Sequence, residues 1–162
     1  MIAVVAYGNP LRGDDGVAWR VVERLERDGD PVVPLTLHQL TPELALVLSQ
    51  ADGVIFVDAR AGRAPGSVRC SEVKAQTAAP GLTHHVAPEA VLALTQSLYG
   101  VQPRAALVTV AAESFALAEH LSPTVRRAVP RAVRLIRSLV RAWSLEALPE
   151  GTALGSPRVG DA

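Results

Sequence analysis

Three groups of side chains in this sequence could do chemistry together. The stretch Leu11-Arg-Gly-Asp-Asp-Gly16 places two adjacent carboxylates, Asp14 and Asp15, in a glycine-flanked loop just after an apolar run. Asp58 directly follows the apolar residues Val54-Ile-Phe-Val57, and a carboxylate there costs free energy unless it is solvated, paired or metal-bound. His84 and His85 stand just before a helix opened by Pro88, and imidazole is both the commonest metal ligand and a general base near neutral pH. Two carboxylates and one imidazole from separate loops offer oxygen and nitrogen donors that suit a borderline divalent ion such as zinc or nickel. Three protein ligands leave positions open for water or a substrate-borne group. Each group also has a structural alternative. Asp14 or Asp15 can cap a following helix and favour its positive end, Asp58 can cap or ion-pair, and the histidines can be surface groups. His38 and His120 stand alone and read as structural.

Other chemistries are poorly supported. Gly8-Asn-Pro-Leu-Arg-Gly13 has neither the glycine spacing of a dinucleotide fingerprint nor the Gly-Lys-Ser/Thr of a P-loop. No serine lies in a G-x-S-x-G elbow, and the lone Cys70 reads as structural. One cysteine in 162 residues excludes an internal disulfide framework or a cysteine-built metal cluster. Sixteen basic residues against sixteen acidic ones argue against nucleic-acid binding by bulk charge. No secretory signal pattern and no apolar run of membrane-spanning length is visible, so the expected setting is cytoplasmic, without membrane insertion.

The elements that must position these residues follow from apolar periodicity. Ile2–Tyr7 and Val54–Val57 read as buried strands, the second ending on Asp58. Val32–Leu40 and Arg104–Val110 are further strands, and Ser67–Val73 is an edge strand. Helices are predicted from Val17 to Asp28, from a Thr41 cap with Pro42 at its first position to about Asp52, from Pro88 to Leu98, and from a Ser122 cap to Trp143. Pro130 predicts a kink or break in the last of these. Strands alternating with helices predict an α/β three-layer sandwich, a mostly parallel twisted sheet of about five strands flanked by helices. One domain over 1–146 and a flexible tail over 147–162, rich in Pro, Gly, Ser and Ala, complete the expected organisation.

Gly8-Asn-Pro-Leu-Arg-Gly-Asp-Asp-Gly16, followed by Trp19-Arg-Val21, resembles the N-terminal signature of the nickel–iron hydrogenase maturation endopeptidases. The resemblance continues through Val54-Ile-Phe-Val-Asp-Ala59, Thr83-His-His85, Glu113-Ser-Phe115 and Leu121-Ser-Pro123, in order, to about residue 140. Ala18 departs from it, standing where the family often has glycine. The resemblance implies an α/β sandwich with a twisted sheet and the activity of a hydrolase, an aspartic-type endopeptidase that removes a short C-terminal extension from a hydrogenase large-subunit precursor once nickel is in place. It implies that Asp15, Asp58 and His84 contact the metal, with Asp15 and Asp58 also catalytic. His84 rather than His85 fits by its distance to the helix at Pro88–Leu92. The nickel would be borne by the substrate, with zinc or another divalent ion able to substitute in the isolated protein. The rival expectations are a non-enzymatic nickel-binding maturation chaperone using the same residues, and a small-molecule hydrolase.

Overall fold

The structure, a computed structural model, describes residues 1–76 and 86–146. Strand β1 (Ile2–Tyr7) and strand β3 (Gly53–Arg60) form the centre of a five-stranded sheet, with β2 (Val33–Leu37), β4 (Val68–Glu72) and β5 (Arg104–Ala111) around them. The order is β2-β1-β3-β5-β4. All pairings are parallel except that of the edge strand β4 with β5. β1 and the first half of β3 are continuous apolar runs because both of their faces are covered.

Helix α1 (Val17–Arg27) and helix α4 (Pro123–Glu146) cover one face. They bury Val17, Val21, Val22 and Leu25 from the first and Val125, Val133, Ile136 and Val140 from the second, against Val4, Ile55, Val57, Val108 and Val110. Helix α2 (Leu44–Leu48) and helix α3 (Pro88–Tyr99) cover the other, where Leu44, Leu48, Val91 and Leu92 pack on Val5, Val54 and Phe56. The sandwich and its five strands are therefore as expected.

Three local expectations are corrected. β3 does not end on Asp58; it continues to Arg60, with Asp58 opposite Thr109 and Arg60 opposite Ala111 on β5. The apolar run ends at Val57, but the backbone ladder does not need apolar side chains to continue. The second predicted helix is shorter, and Leu44–Leu48 has no side-chain cap at its start, residues 41–43 being a turn instead. Pro130 does not break α4, which is continuous from Pro123 to Glu146. Packing of a whole apolar face outweighs the one backbone bond that proline removes. The tail predicted over 147–162 lies outside the described residues.

Candidate active site

The chain leaves β1 for β2 on one side and later returns to form β3 on the other. The carboxyl ends of β1 and β3 therefore flank a point where connections diverge, the place where open α/β sheets form a ligand crevice. Asp15 follows β1 and Asp58 lies near the end of β3, so both carboxylates stand at that crevice. Alternation along a strand fixes the direction of Asp58: Val57 and Ala59 point to the α1/α4 side, whereas Val54 and Phe56 point to the α2/α3 side, and Asp58 with them. Tyr7 ends β1 on the same side.

Asp15 and Asp58 are both half-buried. Asp15 Oδ2 accepts the Asn9 N–H at 2.7 Å, which holds the Gly8–Pro10 turn against the Gly13–Gly16 turn. Gly8 has φ +138°, and a Cβ there would lie 2.4 Å from the Asp15 carbonyl oxygen. We expect Gly8→Ala to push Asp15 off its position and to lower the melting temperature by several degrees, because neither the conformation nor the space admits a methyl group. An unchanged melting temperature would show that the turn yields freely.

The Asp58 carboxyl is pushed up to about 6, first by burial and then by the charge of Asp15; the Tyr7 hydroxyl and the Ala59 N–H work in the opposite direction. Tyr7 is held protonated by burial and by the Asp58 and Glu89 charges. The structure thus brings Asp15 and Asp58 together and adds Tyr7 and, from the first turn of α3, Glu89. The strand alternation that aims Asp58 would also have found Tyr7; nothing in the local sequence marks Glu89. His84 and His85 lie outside the described residues. Among the described residues, no three His, Cys, Asp or Glu side chains gather as a metal-holding group. His38 packs against Trp19 with ring centroids 5.3 Å apart and planes tilted by 59°, and His120 is an exposed residue beside α1 and α4.

Neither Asp14 nor Asp15 caps α1, whose N-cap is Gly16 without a side-chain bond. Asp14 does something else. It is fully buried and accepts the N–H groups of Glu113, Ser114 and Ser122 at 2.9, 3.0 and 2.7 Å, and the Ser122 hydroxyl at 2.9 Å. Burial alone would disfavour its charge, but these donors outweigh burial and hold the carboxyl below its ordinary value. Ser122 also caps α4 as expected, its hydroxyl taking the Val125 N–H at 3.4 Å. A second seam runs beside this clasp: Gly13 N–H donates to Ala118 O and Ala118 N–H to Leu11 O.

Among solved structures, the hydrogenase maturating endopeptidase HybD from E. coli superposes with a TM-score of 0.70 at 26% identity, covering 87% of this chain and 92% of that one. A hydrogenase 2 maturation peptidase from a Thaumarchaeota archaeon does so with a TM-score of 0.66 at 27% identity, covering 86% and 97%. The chain has the fold of the hydrogenase maturation endopeptidases. The NiFe hydrogenase maturation protease HycI from Thermococcus kodakarensis shares that fold at 23% identity, with a TM-score of 0.67 over 86% and 92% of the two chains. No family model and no curated protein sequence matches the chain. Within the maturation-endopeptidase fold, Asp14 joins the first block of the sequence resemblance to its last two, Glu113-Ser-Phe115 and Leu121-Ser-Pro123. No helix among the described residues is long and apolar enough to cross a membrane.

Proposed function

We propose that this chain is an endopeptidase that removes the C-terminal extension from the nickel-loaded precursor of a hydrogenase large subunit. The observation that carries the proposal is the meeting of Asp15 and Asp58 at the β1/β3 crevice of a fold shared with maturation endopeptidases. Two half-buried carboxylates, the charge of Asp15 opposing the ionisation of Asp58, suit a divalent cation brought to them by a docking partner. Nickel is here part of the substrate. Asp15, Asp58 and His84 are the residues proposed to contact it, and a precursor without nickel lacks that contact and is refused. Asp58, half-buried at the crevice beside Asp15 and Tyr7, is the carboxylate suited to take a proton from the water that attacks the scissile carbonyl. Tyr7, protonated throughout, keeps a hydroxyl donor beside that carboxyl.

The test is cleavage of a purified precursor with and without nickel. Cleavage of the loaded form alone supports the proposal; binding without cleavage would instead favour the nickel-binding chaperone. The histidines give a second check. Adjacent side chains ahead of a helix do not both enter one small site, so His84→Ala should lower cleavage by roughly a hundredfold or more while His85→Ala retains most of it. The opposite pattern would move the ligand by one residue. Three ligands hold metal less firmly than a closed four-ligand site, so mild chelation should leave the isolated protein folded, with circular dichroism and melting temperature unchanged. Unfolding on chelation would mean a structural metal.

A further inference from the structure

Beyond Asp58, β3 carries a second polar side chain on the same face. Arg60 is two residues further on, so it too projects toward the α2/α3 side. It is half-buried and held on two sides: Nε donates to Thr109 Oγ1 at 3.2 Å, and Nη2 donates to Ser67 O at 3.2 Å and Ser67 Oγ at 2.6 Å. Thr109 is the ladder partner of Asp58 on β5 and, on its other side, of Arg69 on β4. Ladder partners share a face, so Asp58, Thr109 and Arg69 form a row across three strands, with Arg60 bonded to its middle member. The charge of Arg69 is felt at Arg60.

Two guanidinium groups are thus brought to one spot beside the crevice, and among the described residues neither forms an ion pair with a carboxylate. The contrast within the same chain is Arg137, which is neutralised by both Asp28 and Asp30, at 2.8 and 2.6 Å. Among the described residues, the side-chain hydrogen bonds of Arg60 go to neutral oxygens. Neutral acceptors fix its fork without cancelling its charge, which is the arrangement that receives an external oxyanion.

We propose that Arg60 and Arg69 form a carboxylate-binding subsite for the substrate peptide beside the Asp15/Asp58 crevice. The inference rests on the endopeptidase reading for the nature of the ligand. Along β3, Arg60 is roughly 7 Å from Asp58, and across two ladder spacings Arg69 is roughly 10 Å from it. An extended peptide advances about 3.4 Å per residue, so the carboxylate recognised lies about two to three residues from the bond under attack. Its source is either an acidic side chain or the free terminus of a short peptide, and both present the same group to the fork.

The experiment uses the whole chain and three probes: acetyl-Ala-Ala-Ala with a free carboxylate, the same peptide as its amide, and acetyl-Ala-Glu-Ala-amide. Binding is followed by NMR through the arginine Nε–H signals and the backbone amides of β3 and β4. Millimolar binding of at least one carboxylate probe is expected, at least tenfold tighter than that of the neutral amide. Comparing the two carboxylate probes identifies the source. Arg69→Ala, an exposed position that leaves the fold alone, should abolish the preference, and Arg60→Lys should weaken it. Asp58→Asn should retain the preference while losing precursor cleavage, so a failed endopeptidase reading and a failed subsite give different results. In cleavage of the precursor, Arg69→Ala should raise KM about tenfold at unchanged kcat. Equal binding of the acid and amide probes, or an Arg69→Ala variant indistinguishable from wild type in binding, overturns the subsite and leaves Arg60 as a strut between β3 and β4.

Discussion

Asp14→Ala should be the most damaging single substitution in the first loop, costing about 4 kcal/mol of folding stability. It removes the acceptor for three backbone N–H groups and one hydroxyl at a fully buried position. Each buried donor left unpaired costs about 1–3 kcal/mol, reduced where water can enter, against a total stability of about 5–15 kcal/mol for a domain. Asp14→Asn should recover little, because its amide group turns donors toward donors. Urea denaturation of the three proteins measures this directly, and a midpoint unchanged by Asp14→Ala would remove the clasp from the account. The sign of the pH effect follows from the lowered carboxyl of Asp14. A group whose folded-state value is depressed stabilises the fold above its unfolded value and loses that contribution as pH falls through the folded one. The wild type should therefore lose stability below about pH 4 more steeply than Asp14→Ala does.

Asp58→Asn should have the opposite effect on stability and a larger effect on function. The Asp58 carboxyl is raised to about 6 by burial and by Asp15, with Tyr7 and Ala59 only partly offsetting them. A raised carboxyl favours the fold while protonated, and that contribution is lost as pH climbs from about 4 through the folded value near 6. A shift of about two units corresponds to at most about 3 kcal/mol. The metal-free Asp58→Asn protein should thus be more stable than wild type at pH 8, by about 1–3 kcal/mol, and equal to it near pH 4. Processing of nickel-loaded precursor should fall about a thousandfold in this variant, as expected when one group both contacts the nickel and takes the proton from the attacking water. Asp15→Ala should do likewise while leaving the fold close to wild-type stability. Normal processing by either variant would remove that residue from the mechanism. Higher stability joined to lost activity is the signature of a functional carboxylate as distinct from a structural one.

The parts of this structure that were legible in the sequence are those in which one local signal and the global fold agree. Ile2–Tyr7 is apolar because both its faces are covered, and Val17, Val21, Val22 and Leu25 repeat at helical spacing because one face of α1 meets the sheet. Asp58 stood out because it interrupts such a run. What was not legible depends on partners far along the chain. Asp14 and Asp15 look alike locally, and either could cap a following helix. Only the arrival of Ser114 and Ser122 tells the buried carboxylate from the one at the crevice. The extension of β3 to Arg60 is likewise dictated by its neighbour β5, not by its own side chains. Pro130 is the reverse case: a strong local signal is overridden because Val125, Ala128, Ala132, Val133 and Ile136 bind the helix to the sheet on both sides of it.

The Asp14 clasp also sets a timetable. Its donors lie 99, 100 and 108 positions further along the chain, and the neighbouring seam joins residues 11–13 to Ala118. Contacts of such long sequence separation form late, because loop closure must come first. During synthesis from the N-terminus, β1 and α1 emerge with Asp14 still without its partners, and the clasp closes only once Ser122 has left the ribosome. The seam between the first loop and residues 113–122 is therefore among the last parts of the molecule to take shape.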